Sequence, residues 1–398
     1  MPAQPVQAAI VQTTTVRAAE SFWGKHQAGI VSPAQAHTYF AAFDLTTAKQ
    51  DDLQALLRAW TRAASRLTAG QPIEPVQLPA SYDQQTQPPV PDSGDATDLT
   101  AARLTITFGF GPGLFSKDGK DRYGLNAQRP EAFVDLPKFN GDQLAKELTG
   151  GDLSIQACAD DPQVAFHAVR QLALMGDGVV EMRWAQTGFL SSPSGGRTPR
   201  NLMGFKDGTQ QPNPAGNAVW VGPEGPAWMR GGSYMVVRRI RIALEHWDRT
   251  PVGFQEQTMG RHKASGAPLG LKDEFAPLGL DRMGSDENPV IPEHAHVRMA
   301  HAAAIGAAEM LRRGYSYNAG LSFTAERWPP WRQGMEFDAG LLFICYQKDP
   351  RTGFIKTFED MAKFDMLNQF TTHVGGGAFA CPPGVTAGGF VGEGLFRA

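Results

Sequence analysis

Two distant segments of the chain follow one plan. "LSIQACADDPQVAF" (Leu153 to Phe166) and "LLFICYQKDPRTGF" (Leu341 to Phe354) each run from a Leu-led strand through Asp-Pro to a Phe five residues after the Asp. Around each, the hydrophobic pattern reads strand, helix, strand, strand, helix, strand. A chain patterned twice in this way is constrained to an α+β architecture of two split β-α-β units, each with helices packed on an antiparallel sheet.

The first half begins with the strand "TYFAAFD", after which Thr46 is expected to cap a helix whose apolar face is Leu53, Leu56, Leu57 and Trp60. "LTITFGF" alternates large apolar residues with Thr105 and Thr107, the pattern of a half-buried strand. After "DLSIQACA", Asp161 and Pro162 give a cap and first-turn signal for a helix that buries Val164, Ala165, Ala168, Val169 and Leu172. "GVVEMRWA" closes the set. In the second half "YMVVRRIRIAL", "GYSYNAGLSF" and "GLLFICYQ" read as strands and Glu245 to Arg261 as a helix. Pro350 opens another helix, with Phe354, Phe358, Met361 and Ala362 on one face. The halves divide as 20–190 and 233–395, joined by a Gly/Pro/Ser-rich connection over 191–232. A second long loop spans Lys263 to Pro292. Loops of that length are commonly functional.

At 398 residues, two domains are the default. Hydrophobic residues at 42% and charged residues at 19% are a globular balance. The net charge of −3, with no basic run, argues against a nucleic-acid partner. Cys158, Cys345 and Cys381 form neither a disulfide framework nor a Cys-x-x-Cys zinc pair. The start lacks the basic head and apolar run of a signal peptide, and no apolar run is long enough for a membrane span.

Three local signals bear on chemistry. "GFKDGT" places Asp207 between Gly204 and Gly208. "PEHAHVRMAHA" gathers His294, His296 and His301, and "LRRGYSY" pairs Arg312 with Arg313. Singly, each has a plain structural explanation: an Asx-turn, loop histidines, and cations at the end of a helix over about His301 to Leu311. The histidines also fit a metal site, with His294 and His296 on one side of a strand and Glu293 adding an oxygen, or a single axial ligand to haem iron.

In combination, "GFKDGT", "HVRMA", "LRRGYSY" and "GLLFICYQ", with "FWGKHQAGI" early and "VGGGAFACPPG" late, resemble the dye-decolourising peroxidase (DyP-type haem peroxidase) family. The likeness is to the branch of periplasmic iron-uptake-associated deferrochelatase/peroxidase members. It implies two ferredoxin-like halves in a DyP-type dimeric α+β barrel arrangement, with haem b (iron protoporphyrin IX) held mainly by the second half. It makes His296 the axial iron ligand, Asp207 the distal acid/base and Arg312 the distal cation. Phe343 and Gly208 line the cofactor side, and Asp365 and Glu359 are candidates to orient His296. The implied activity is reduction of hydrogen peroxide via a ferryl intermediate, with organic electron donors such as dyes and phenols oxidised by one-electron steps. The alternative is release of iron from haem.

The resemblance further implies surface relays, for which Tyr315, Tyr317, Trp328 and Trp331 are candidates. It is compatible with a homo-oligomer and with export as a folded form, cytoplasmic residence staying open. An aspartate base, ordinarily near ~3.9, works in mild acid where a histidine, near ~6.5, is protonated.

Overall fold

The computed structural model describes residues 19–74, 92–191, 196–325 and 333–397. The first half runs β1 (His37–Leu45), α1 (Gln50–Leu67), β2 (Thr105–Phe110), α2 (Pro112–Phe115), β3 (Leu153–Ala159), α3 (Pro162–Met175) and β4 (Val180–Phe189). The second runs β5 (Ser233–Ile242), α4 (Leu244–Arg249), α5 (Val252–Met259), α6 (His296–Met299), α7 (Ala302–Ile305), β6 (Leu311–Arg312), β7 (Tyr315–Ala325), β8 (Gln333–Gln347), α8 (Lys356–Phe364) and β9 (Thr371–Cys381).

Within the first half the strands lie in the order β2-β3-β1-β4, and within the second β9-β5-β8-β7. These are the same order, which is what the repeated strand–Asp-Pro–helix segments required: β3 leads into α3 as β8 leads towards α8. The two sheets join through β2 and β9 (Phe110 opposite Ala380) and through β4 and β7 (Phe189 opposite Ser316). The result is a closed antiparallel barrel of eight strands, with β6 as a short addition beside β8. Closure leaves the long strands without free edges.

Several elements depart from the sequence reading. The residue before α1 is Lys49, which makes no side-chain cap. Thr47, rather than Thr46, stabilises the entry, donating to Asp52 and accepting from the Lys49 N–H. β2 is buried on both faces, because the segment before β1 covers its threonine side. Gln35 donates to Thr105 Oγ1 at 3.1 Å and Thr107 donates to the Ala28 carbonyl at 2.8 Å. The expected helix over Glu245 to Arg261 is two short ones, broken at Thr250–Pro251, where proline removes a donor. Asp161 caps α3 as expected, accepting from the N–H groups of Gln163 and Val164. All three cysteines are free and buried, and among the described residues no helix is long and apolar enough to cross a membrane.

α1 and α3 pack over the outer face of the first sheet. Trp60 is the largest fully buried side chain there. Its indole donates to the Leu172 carbonyl at 2.8 Å and its ring meets Phe43 and Phe108. Trp60→Ala is expected to cost about 3–5 kcal/mol of unfolding free energy, read from a denaturant titration. A loss no larger than that of an exposed site would show that this cluster does not hold α1 and α3 to the sheet.

Candidate functional site

The pleat of β8 decides what faces the second half's interior. Leu342, Ile344 and Tyr346 are fully buried inside the barrel, so Leu341, Phe343 and Cys345 face outward. Arg312 on β6 lies opposite Cys345 and shares that outer face. The helix over His301 to Leu311 is reduced to the short α7, which ends at Ile305, and the chain re-enters the sheet at Leu311. Pairing with β8 fixes Arg312 more firmly than a frayed helix end could.

Asp207 reaches this face from the long connection. Its N–H donates to the Pro199 carbonyl at 2.9 Å. Beyond it, Arg312 donates from Nη2 to the Gln210 carbonyl at 2.8 Å, and Gln211 exchanges two hydrogen bonds, each 3.0 Å, with the Arg312 backbone. Gly208, at φ +104°, turns the chain through the left-handed region that a side chain disfavours. The outcome is a cavity of about 340 Å³ whose lining includes Asp207, Gly208, Arg312, Phe343, Leu341 and Arg313. Among the described residues, no hydrogen bond occupies the Asp207 carboxylate.

His296 does not line that cavity. It begins α6 rather than sitting in a strand, so it and His294 do not share a strand face. Its Nδ1 lies 2.7 Å from Oδ2 of Asp365, a carboxylate only 2% exposed, at the end of α8. Asp365 Oδ1 in turn accepts from the Leu367 N–H at 2.8 Å, and the Met366 N–H donates to the His294 carbonyl, tying α8's end to α6. Arg298 anchors α6 from the other side through the Leu280 and Ile291 carbonyls. Gly260, at φ +78°, ends α5 where any Cβ would strike Val297.

Burial disfavours a charged imidazole at His296. The charge and hydrogen bond of Asp365 more than offset this, with a smaller contribution from Asp207, so its pKa is raised while Arg312 opposes the rise. The His296 side chain is 32% exposed. Among the described residues its second nitrogen, Nε2, carries no hydrogen bond.

Of the two candidates to orient His296, Asp365 is the partner and Glu359 is not. His294 is exposed and stacks on Phe364. Among the described residues no three His, Cys, Asp or Glu side chains converge as a metal site, so the grouping of Glu293, His294 and His296 is not formed. Tyr315 and Tyr317 are fully buried, and Trp328 and Trp331 lie outside the described residues. Sequence reasoning missed Glu274, which sits in the loop over 263–292 and accepts hydrogen bonds from Lys206, Thr198 and Thr209. No spacing or composition signal marks it.

The chain matches the family model described as Dyp-type peroxidase, N-terminal, over residues 27–190 and that described as Dyp-type peroxidase, C-terminal, over residues 198–386. A protein named deferrochelatase from Escherichia coli (strain K12) is 36% identical over 393 residues, covering 95% of this chain and 87% of that protein. One of the same name from Yersinia pestis is 35% identical over 379 residues, covering 92% and 82%. Among solved structures, ferric DtpA from Streptomyces lividans is 37% identical, with full coverage of both chains and a TM-score of 0.85. A DyP-type peroxidase from Cellulomonas bogoriensis is 35% identical, with a TM-score of 0.82 and coverage of 96% and 99%.

Proposed function

The chain belongs to the Dyp-type peroxidase family, and from that premise we propose that His296 would hold the iron of its haem while Asp207 and Arg312 would carry the proton and charge chemistry of peroxide at the cavity. It is a haem-dependent peroxidase that uses hydrogen peroxide as oxidant and organic molecules as electron donors. The residues fit the cofactor. An imidazole whose Nδ1 is committed to a buried carboxylate presents Nε2 as a fixed, basic ligand. Phe343, Leu341 and Gly208 offer an apolar wall and an uncrowded backbone at the cavity.

The observation that carries the reading is geometric: the imidazole of His296 is tied by Nδ1 to the buried Asp365 carboxylate at 2.7 Å, and Asp207 and Arg312, far apart in sequence, line one cavity. Bound haem supplies the redox chemistry that cleaves the O–O bond. Asp207, its carboxylate unoccupied, takes a proton from one peroxide oxygen and returns it to the other, the one that leaves as water. Arg312, permanently charged and held by the Gln210 carbonyl, stabilises the negative charge that develops on the departing oxygen. Asp365 keeps the ring of His296 oriented. Two donor molecules, giving one electron each, complete the cycle. The division into 20–190, 191–232 and 233–395 belongs to the same proposal, supported by the equal strand order of the two halves.

A second reading, release of iron from haem, is favoured by the name deferrochelatase carried by the curated relatives. One experiment separates them. The haem-loaded protein is mixed with peroxide and a dye, and in parallel incubated with excess haem under reducing conditions. Rapid bleaching with no metal-free porphyrin is expected. Recovery of metal-free porphyrin without bleaching would replace the first reading with the second.

A further inference from the structure

The carboxylate of Asp207 must be held to within about 0.5 Å to act as a base, yet it stands on a connection with no regular structure. Its neighbours explain how this is done. Lys206 Nζ and Thr209 Oγ1 flank it in sequence, and both donate to one carboxylate, Glu274, Thr209 to Oε1 at 3.1 Å and Lys206 to Oε2. Thr198, next to the Pro199 carbonyl that accepts from the Asp207 N–H, also donates to Glu274 Oε1. The Glu274 side chain is 10% exposed, so this clamp is largely shielded from water. Its own backbone is fixed, because Arg261 Nη1 donates to the Glu274 carbonyl at 3.0 Å and to the Gly266 carbonyl at 2.7 Å.

We propose that Glu274 is a positioning residue for peroxide reduction: it clamps the chain on both sides of Asp207 and sets where that carboxylate stands. This rests on the reading of Asp207 given above. Both oxygens of Glu274 are engaged by Lys206, Thr198 and Thr209, so it acts only through the loop. Burial raises the carboxyl's pKa, but the three donors and the Lys206 charge more than offset this and hold it low, so the clamp stays ionised through mild acid. Arg312 holds the next residues of the same loop through Gln210 and Gln211. The loop over 263–292 thereby becomes part of the site, although none of its residues lines the cavity.

The test is a double-mutant cycle on haem-loaded protein, with the rate constant for reaction with peroxide as readout. Glu274→Ala is expected to lower it about 10- to 100-fold, since a displacement near 1 Å costs up to about 10²-fold. Glu274→Gln keeps an acceptor for Thr198 and Thr209, but its amide nitrogen cannot accept from Lys206, so its rate and its exchange at 204–209 fall clearly between those of Glu274→Ala and the parent. In an Asp207→Asn background, Glu274→Ala should cost little more.

A second readout does not depend on activity. In the same variants without haem, amide hydrogen exchange in Glu274→Ala rises over residues 204–209 more than over the barrel strands. Additive losses in the cycle, or unchanged exchange at 204–209, would overturn the proposal. If Glu274→Ala does not fold, Glu274→Gln carries both readouts, and a Gln variant with parent rate and parent exchange would equally overturn it. A rate that Asp207→Asn itself leaves unaltered would instead sink the role of Asp207, which keeps the two failures distinct.

Discussion

Asp207→Asn lowers the rate constant for reaction with hydrogen peroxide by about 10²- to 10⁴-fold, the span expected when a positioned general base is removed. The substitution isolates the proton transfer. Asparagine has the same shape, and the carboxylate it replaces makes no hydrogen bond among the described residues. The loop keeps its anchors at Pro199, Glu274 and Arg312. The Soret band of the resting protein and the thermal midpoint should therefore match the parent. Stopped-flow mixing with peroxide reads the rate directly, and a variant that reacts at the parent rate would remove Asp207 from the mechanism.

Arg312→Leu supplies the contrast. It deletes charge stabilisation and should cost about 10²- to 10³-fold. It also releases the Gln210 carbonyl, so a loss of loop order accompanies it. Because base and cation serve one bond-breaking event, the double variant should fall well short of the product of the two losses.

What could be read from the chain, and what could not, divides by range of interaction. Strand and helix order followed from local periodicity and from the repeated Asp-Pro segments, and the barrel places β3 and β8 in matching positions of the two halves. Asp365 was one of two candidates because its distance from His296 along the chain carries no signal. Only the packing of α8 against α6 brings Oδ2 within 2.7 Å of Nδ1. The helix before Arg312 is cut to the short α7 because Gly306, at φ +63°, ends it, and pairing with β8 takes up Leu311 and Arg312. Thr105 and Thr107 read as solvent-facing because alternation marks two faces without saying what covers each. Glu274 was invisible because its role is to hold two residues of another loop, and loop-to-loop register leaves no periodic trace.

His296→Ala is expected to abolish stable haem binding, with loss of the Soret band after gel filtration and of all peroxide-dependent dye oxidation. Three imidazoles lie close together in this part of the chain, and their surroundings distinguish them. His294 is exposed and stacks on Phe364, with no carboxylate against it among the described residues. His301 stands at the start of α7, its Nδ1 buried and without a partner among the described residues. Of these three, only His296 has a buried carboxylate fixing its ring among the described residues, and a ligand held by such a partner commonly loses about 10- to 100-fold in metal affinity or activity when the partner is removed. The order of losses is therefore His296→Ala first, Asp365→Asn next, and His294→Ala and His301→Ala near the parent, read as haem retained per protein at matched concentration. Free imidazole added to His296→Ala should restore a Soret band by entering the space the side chain leaves. If His294→Ala or His301→Ala loses haem while His296→Ala keeps it, the proposed role of iron ligand passes to that residue, and the proposed pairing of His296 with Asp207 and Arg312 no longer follows.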